Sequence, residues 1–173
     1  MTDRITLKDR AAHGIPVVSG AASAVPTRKR YTVGVDPGQN VGVAIYDTFE
    51  RRIDQTRTFT PGEFILWAWD ISTDAFQFVV EDCRLIKITG RRIDGETGVN
   101  DRKGQNVGMV KGVTGVIIEF LRLRGFTVAT VKPRRKKDAE QLKRETGLET
   151  RTNQHVRDAI DLCWGVNVVR DEQ

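Results

Sequence analysis

Residues 31–47 read YTVGVDPGQNVGVAIYD. Two runs rich in β-branched side chains, 31–36 and 41–46, flank the turn sequence PGQN, which predicts a β-hairpin. The first run ends in Asp36. A carboxylate that closes an apolar strand is costly to bury unless hydrogen bonds or a cation compensate it. What Asp36 faces is therefore the first question the sequence poses.

The order of elements follows outward from this hairpin. A third strand is predicted at 51–59, where Ile53, Gln55, Arg57 and Phe59 give a weak alternation. Thr60, Pro61 and Glu63 then form a capping-box start for a helix carrying Phe64, Ile65, Trp67, Ala68 and Ile71. FQFVVE, 76–81, is a fourth strand. Residues 84–104 are polar and glycine-containing and read as a long loop, a length uncommon without a function. A helix is expected from about 104 to 124. Val107, Val110, Ile117, Ile118 and Leu121 mark one face, and Gly104, Gly108 and Gly112 mark a second stripe. Each glycine costs a helix about 1 kcal/mol relative to alanine. The stripe thus suggests close approach by another backbone, either a second subunit or the domain's own sheet. A strand at 126–131, a basic helix over 133–146 stopped by Gly147, and a last helix from Thr152 to about 169 complete the chain. This order predicts an α/β fold: a five-stranded mixed sheet with helices on both faces.

Composition bounds the function. The 173 residues are enough for one domain with a core, and 39% hydrophobic with 29% charged is ordinary for a globular protein. The net charge of +5 is clustered in Arg28-Lys29-Arg30, Arg51-Arg52, Arg91-Arg92, Arg102-Lys103 and Lys132 to Lys137. Clustered positive charge suits a polyanion such as nucleic acid. Cys83 and Cys163 make neither a disulfide framework nor a zinc site, and read as reduced thiols of a cytosolic protein. No apolar run approaches membrane-spanning length. AAHGIPVVSGAASAVP, 11–26, is too short and broken in its apolar part for a secretion signal. Residues 1–29 read as a flexible N-terminal extension, and 30–173 as the folded domain.

The acids form a constellation. Asp36 ends the first strand and Glu81 the fourth, and in such a sheet these strands can lie side by side. In the last helix His155 and Asp158 are three apart and share a face. At roughly 100° per residue, Val156, Ala159, Leu162, Cys163 and Val166 form the core face. His155 lies within that face and Asp158 at its border. Asp161 falls on the polar side beside Arg157, four residues away, which suggests a weak surface pair. His155 also sits in the first turn, where the helix N-terminus disfavours a positive imidazole and leaves it able to bind metal. Asp36 is thus expected to face Glu81, Asp158 and His155 around divalent metal. Such oxygen-rich clusters suit Mg²⁺ or Mn²⁺, and two ions about 4 Å apart can drive phosphodiester cleavage.

These residues resemble the RuvC-like Holliday junction resolvases of the RNase H-like superfamily. The resemblance rests on VGVDPGQNVGVAIYD, on FVVEDC, on the glycine-rich helix after a basic loop and on HVRDA, and it spans about 31–169. Its small, divergent character is similar to that of bacteriophage-encoded members. The resemblance implies an RNase H-like fold and an endonuclease with two Mg²⁺ ions per site, Mn²⁺ able to substitute. It implies catalytic and metal-ligating roles for Asp36, Glu81, His155 and Asp158. Asp36 would bridge the metals, Glu81 would hold one and orient water, and Asp158 would hold the other. His155 would either ligate metal or transfer a proton. It also implies a homodimer through helix 104–124, which matches the two-fold symmetry of a four-way junction, and a cytoplasmic setting in a bacterium or a phage host. The loop 84–104 departs from the family in its length, its charge and its lack of an aromatic residue.

Arg91, Arg92, Arg102, Lys103, Lys111, Lys132, Arg134, Arg135, Lys136 and Lys137 are the expected phosphate contacts, giving affinity rather than sequence recognition. Two alternatives remain open. One is a related nuclease that cuts flaps or RNA–DNA hybrids, since fold alone does not choose the substrate. The other is a non-catalytic module that binds branched nucleic acid. Dependence on divalent metal separates them.

Overall fold

A computed structural model describes residues 29–86, 97–148 and 152–166, except for the side chains of 97–106. The expected extension 1–29 falls almost wholly outside the described residues. Strands β1 (Tyr31–Asp36) and β2 (Val41–Asp47) form the predicted antiparallel hairpin, with Asp36 opposite Gly42. β3 (Arg52–Phe59) adds antiparallel to β2. Helix α1 (Pro61–Asp70) then returns the chain to β4 (Phe76–Glu81), which pairs parallel to β1. Helix α2 (Thr97–Leu123) leads to β5 (Thr127–Val131), parallel to β4. Helices α3 (Ala139–Thr146) and α4 (Gln154–Cys163) follow. The sheet order is β3-β2-β1-β4-β5. With β2 antiparallel to a parallel β1-β4-β5 core, this is the RNase H-like α/β arrangement.

Helices cover both faces of the sheet, which explains the burial pattern. All seven residues of β2 are buried, whereas edge strand β3 is largely exposed. One face packs Val33, Val35, Val43, Phe78 and Val80 against Phe64 and Ala68 of α1 and Ile117, Ile118 and Leu121 of α2. Fully burying side chains of this size stabilises by about 1.5–3 kcal/mol each. The other face packs Ala44 and Tyr46 against Leu142 of α3 and Val156, Ala159, Ile160 and Cys163 of α4. The capping box at Thr60 forms as predicted. Glu63 N–H donates to Thr60 Oγ1 at 3.3 Å, and Thr60 N–H donates to the Glu63 carboxylate at 2.7 Å. Gly147 caps α3 at φ +70°, its N–H donating to the Lys143 carbonyl.

Five sequence expectations are corrected. Helix α2 begins at Thr97, not near 104, so Arg102 and Lys103 lie on helix backbone rather than in a loop. The 133–146 helix begins only at Ala139, because Asp138 and Gln141 form their own capping box; 132–138 is neither helix nor strand. The last helix ends at Cys163, where Gly165 at φ +69° and a Val166 N–H bond to the Cys163 carbonyl turn the chain. Val166 is therefore past the helix, and its carbonyl accepts from Thr32 Oγ1. Finally, a Cβ added at Gly108 or Gly112 would meet nothing within 4 Å, so this part of the stripe does not pack on the domain's own sheet. Val107 is likewise 44% exposed rather than in the core.

Candidate active site

Strand geometry decides where Asp36 looks. Val33 and Val35 point into the core under α1 and α2, so Gly34 and Asp36 face α4. Val35 pairs with Val80, so Glu81, the next residue of the parallel neighbour, faces the same way as Asp36. Gly42, the cross-strand partner of Asp36, shares this face. Glycine at 34 and 42 lets the helix backbone come down onto the sheet. A Cβ at Gly34 would lie 1.9 Å from the Ala159 carbonyl oxygen, and one at Gly42 would lie 2.2 Å from that of His155. No other residue type permits this approach. Its consequence is that the first turn of α4 is delivered to Asp36, and His155 Nδ1 lies 2.8 Å from Asp36 Oδ2. With Asp36 ionised, Nδ1–H donates, and in the neutral imidazole Nε2 is then the acceptor.

Asp36 is 7% exposed and Asp158 8%. Burial raises the Asp36 pKa, opposed by the hydrogen bond from His155 and reinforced by the negative charge of Asp158. Glu81 is pushed up to about 7, first by burial and then by Asp36 and Asp158. The three acids therefore sense one another, as groups at one sheet edge must. Asp158 has both oxygens engaged. Gln154 Nε2 donates to Oδ1 and Lys136 Nζ donates to Oδ2, each at 2.6 Å. The Lys136 ammonium is held above its ordinary pKa by that bond and by Asp36 and Glu81.

The basic residues divide. Lys132, Arg134 and Arg135 are exposed on the 132–138 segment. Lys136 instead enters the acid cluster. Lys137 pairs with Glu145 and with Asp161, so the expected Arg157–Asp161 pair does not form. Arg157 instead donates to the Thr152 carbonyl and Gln154 Oε1. A cavity of about 400 Å³ is lined by Arg135, Lys136, Lys137, Gln141, Arg144 and Glu145. A smaller recess brings Glu81, Asp158 and Asp161 together with Arg134 to Lys137. Lys111 lies on α2, partly buried, on the element that packs against the opposite sheet face. Arg91 and Arg92 lie outside the described residues, as do the side chains of Arg102 and Lys103.

Sequence reasoning missed Gln154, although a Gln four residues before an Asp on a helix is a legible hydrogen-bonding pair. It also missed Asp82, which is buried at the end of β4 and takes Arg84 through both oxygens at 2.8 Å. Asp82 thereby belongs to an ion pair, apart from the cluster.

The donors Asp36, Glu81, Asp158 and His155 suit a hard divalent cation in kind: three buried or half-buried carboxylates and an imidazole. Among the described residues, no three such side chains are placed so that they could hold an ion together. The donor chemistry fits a divalent cation, and three of these side chains would have to move together to share one.

The class that fold and site define is an α/β domain of RNase H-like topology with an acidic cluster at the carboxyl ends of β1 and β4. No family model and no curated protein matches the chain in sequence. Among solved structures it is similar to T. thermophilus RuvC in complex with Holliday junction substrate, at 13% identity and a TM-score of 0.47. That similarity covers 78% of this chain and 90% of that one. Among the described residues no helix is long and apolar enough to cross a membrane.

Proposed function

We propose that the chain is a divalent-metal-dependent endodeoxyribonuclease that cuts four-way DNA junctions by paired phosphodiester hydrolysis, acting as a homodimer. One observation carries the reading. Asp36, Glu81 and Asp158 come from three separate elements to one sheet edge, where burial first, and then the charges of Asp36 and Asp158, push Glu81 up to about 7. Such displacement marks sites of chemistry more often than surfaces. Without a cation, a cluster of this kind is electrostatically unfavourable.

The residues have distinct tasks in this proposal. Asp36, Glu81 and Asp158 would hold two Mg²⁺ ions, which when bound supply the activation of water and the stabilisation of the leaving oxygen. Glu81, pushed up to about 7 by burial and by the charges of Asp36 and Asp158, is suited to orienting the attacking water and accepting its proton. His155 fixes the Asp36 carboxylate through Nδ1 and presents Nε2 for proton transfer. Lys132, Arg134 and Arg135 would contact phosphates. The dimer is proposed through α2, whose Gly108 and Gly112 meet open space beside the exposed Val107, Met109 and Val116.

Asp36→Asn tests the reading. Cleavage of a labelled junction in Mg²⁺ is expected to fall at least about a thousandfold. Junction binding is expected to stay at the wild-type level or tighten, because a negative charge near phosphate is removed. Wild-type cleavage by this variant would refute the site.

A further inference from the structure

The Lys136 side chain divides sharply along its length. It is 59% exposed, yet its Nζ lies 2.6 Å from an oxygen of Asp158, whose own side chain is 7% exposed. The arm comes from solvent and only its tip enters the acid cluster, a pattern typical of long cationic side chains. Asp36 and Glu81 also attract that tip. The backbone beside it is held: Lys137 bonds Glu145 and Asp161, and Asp138 caps α3. The Lys136 side chain can therefore leave the cluster without the segment moving. It has somewhere to go, because Lys136 also lines the neighbouring basic cavity of about 400 Å³.

Both oxygens of Asp158 are occupied, one by Gln154 and the other by Lys136. Each oxygen keeps a second lone-pair site, but an ammonium 2.6 Å from Oδ2 repels any cation that approaches Asp158. The Gln154 amide is neutral, whereas the ammonium already supplies the positive charge that the carboxylates require.

We propose that Lys136 is an internal counter-cation that competes with divalent metal for Asp158. It keeps the acids folded and mutually tolerable in the metal-free protein and withdraws toward the basic cavity when metal enters. The inference rests on the proposed metal-dependent nuclease and adds to it a residue that sets how tightly the site takes its ion. Competition of this kind is a coupling between two ligands of one group, so removing the internal ligand raises the apparent affinity of the external one.

The test is Mn²⁺ binding to the full chain by calorimetry, without DNA, for wild type, Lys136→Met, Lys136→Arg and Lys132→Met. Lys132→Met removes the same charge from an exposed position on the same segment. Lys136→Met is expected to bind Mn²⁺ about five- to tenfold more tightly than wild type. Lys136→Arg and Lys132→Met are expected to stay within about twofold of wild type. The gain from Lys136→Met should vanish in an Asp158→Asn background. Equal Mn²⁺ affinity for wild type and Lys136→Met would overturn the competition while leaving the metal site intact. Weaker binding by Lys136→Met would also overturn it, making the lysine a support for Asp158. Absence of Mn²⁺ binding in every variant would overturn both the inference and the metal-dependent reading beneath it.

Discussion

Glu81→Gln isolates the electrostatics of the acid cluster from its chemistry. In the unfolded chain Glu81 ionises near its ordinary value of 4.5, but in the folded protein it keeps its proton up to about 7. Below 4.5 both states are protonated and the fold has its full stability. Between 4.5 and 7 the unfolded chain ionises while the folded one resists, so stability falls as pH rises. Above 7 the loss is complete. The interval corresponds to roughly 3 kcal/mol at about 1.4 kcal/mol per pH unit. Water reaching the half-buried carboxyl screens this to about 1–2 kcal/mol. Gln cannot ionise, so the variant lacks the effect. Urea unfolding in EDTA should give similar stabilities for the two proteins at pH 4.5. At pH 8 Glu81→Gln should be more stable by about 1–2 kcal/mol. Parallel pH profiles would refute the raised Glu81 pKa that burial, with Asp36 and Asp158, produces.

Further outcomes follow from the packing and the charge. Gly42→Ala places a methyl 2.2 Å from the His155 carbonyl oxygen, so α4 must shift. A loss of about 1–3 kcal/mol in urea unfolding is expected, together with cleavage reduced beyond what stability explains. Replacing Lys132, Arg134 and Arg135 together with Gln should weaken junction binding and reduce the slope of log affinity against log salt by about 2–3. An unchanged slope in a salt titration would remove the segment from the DNA surface.

The sequence was legible where local chemistry agreed with tertiary structure. PGQN between two apolar runs and the Thr60–Glu63 box identify their elements from residues a few positions apart. The convergence of Asp36, Glu81 and Asp158 was legible because Asp36 and Glu81 sit at strand ends and α4 places Asp158 at its core border, where it is buried. What failed was less local. The start of α2, TGVNDRKG, carries no apolar period to announce a helix. The run Arg134 to Lys137 looked helical. Like charges at helical spacing repel, however, and two of those cations are drawn instead to acids more than seven residues away in sequence. Lys136 in particular reads as one more surface cation until Asp158 is placed beside it. Gly34 and Gly42 gave no signal as strand residues, since their role depends on the helix that packs over them.

The most direct test is cleavage of a labelled four-way DNA junction with Mg²⁺ and with EDTA, beside a duplex, a flap and an RNA–DNA hybrid of matched sequence. The account predicts paired symmetric nicks on the junction, in Mg²⁺ only. Cutting of the flap or hybrid instead would keep the acid site and contradict the junction assignment. Tight junction binding without cutting in any metal would contradict the nuclease itself.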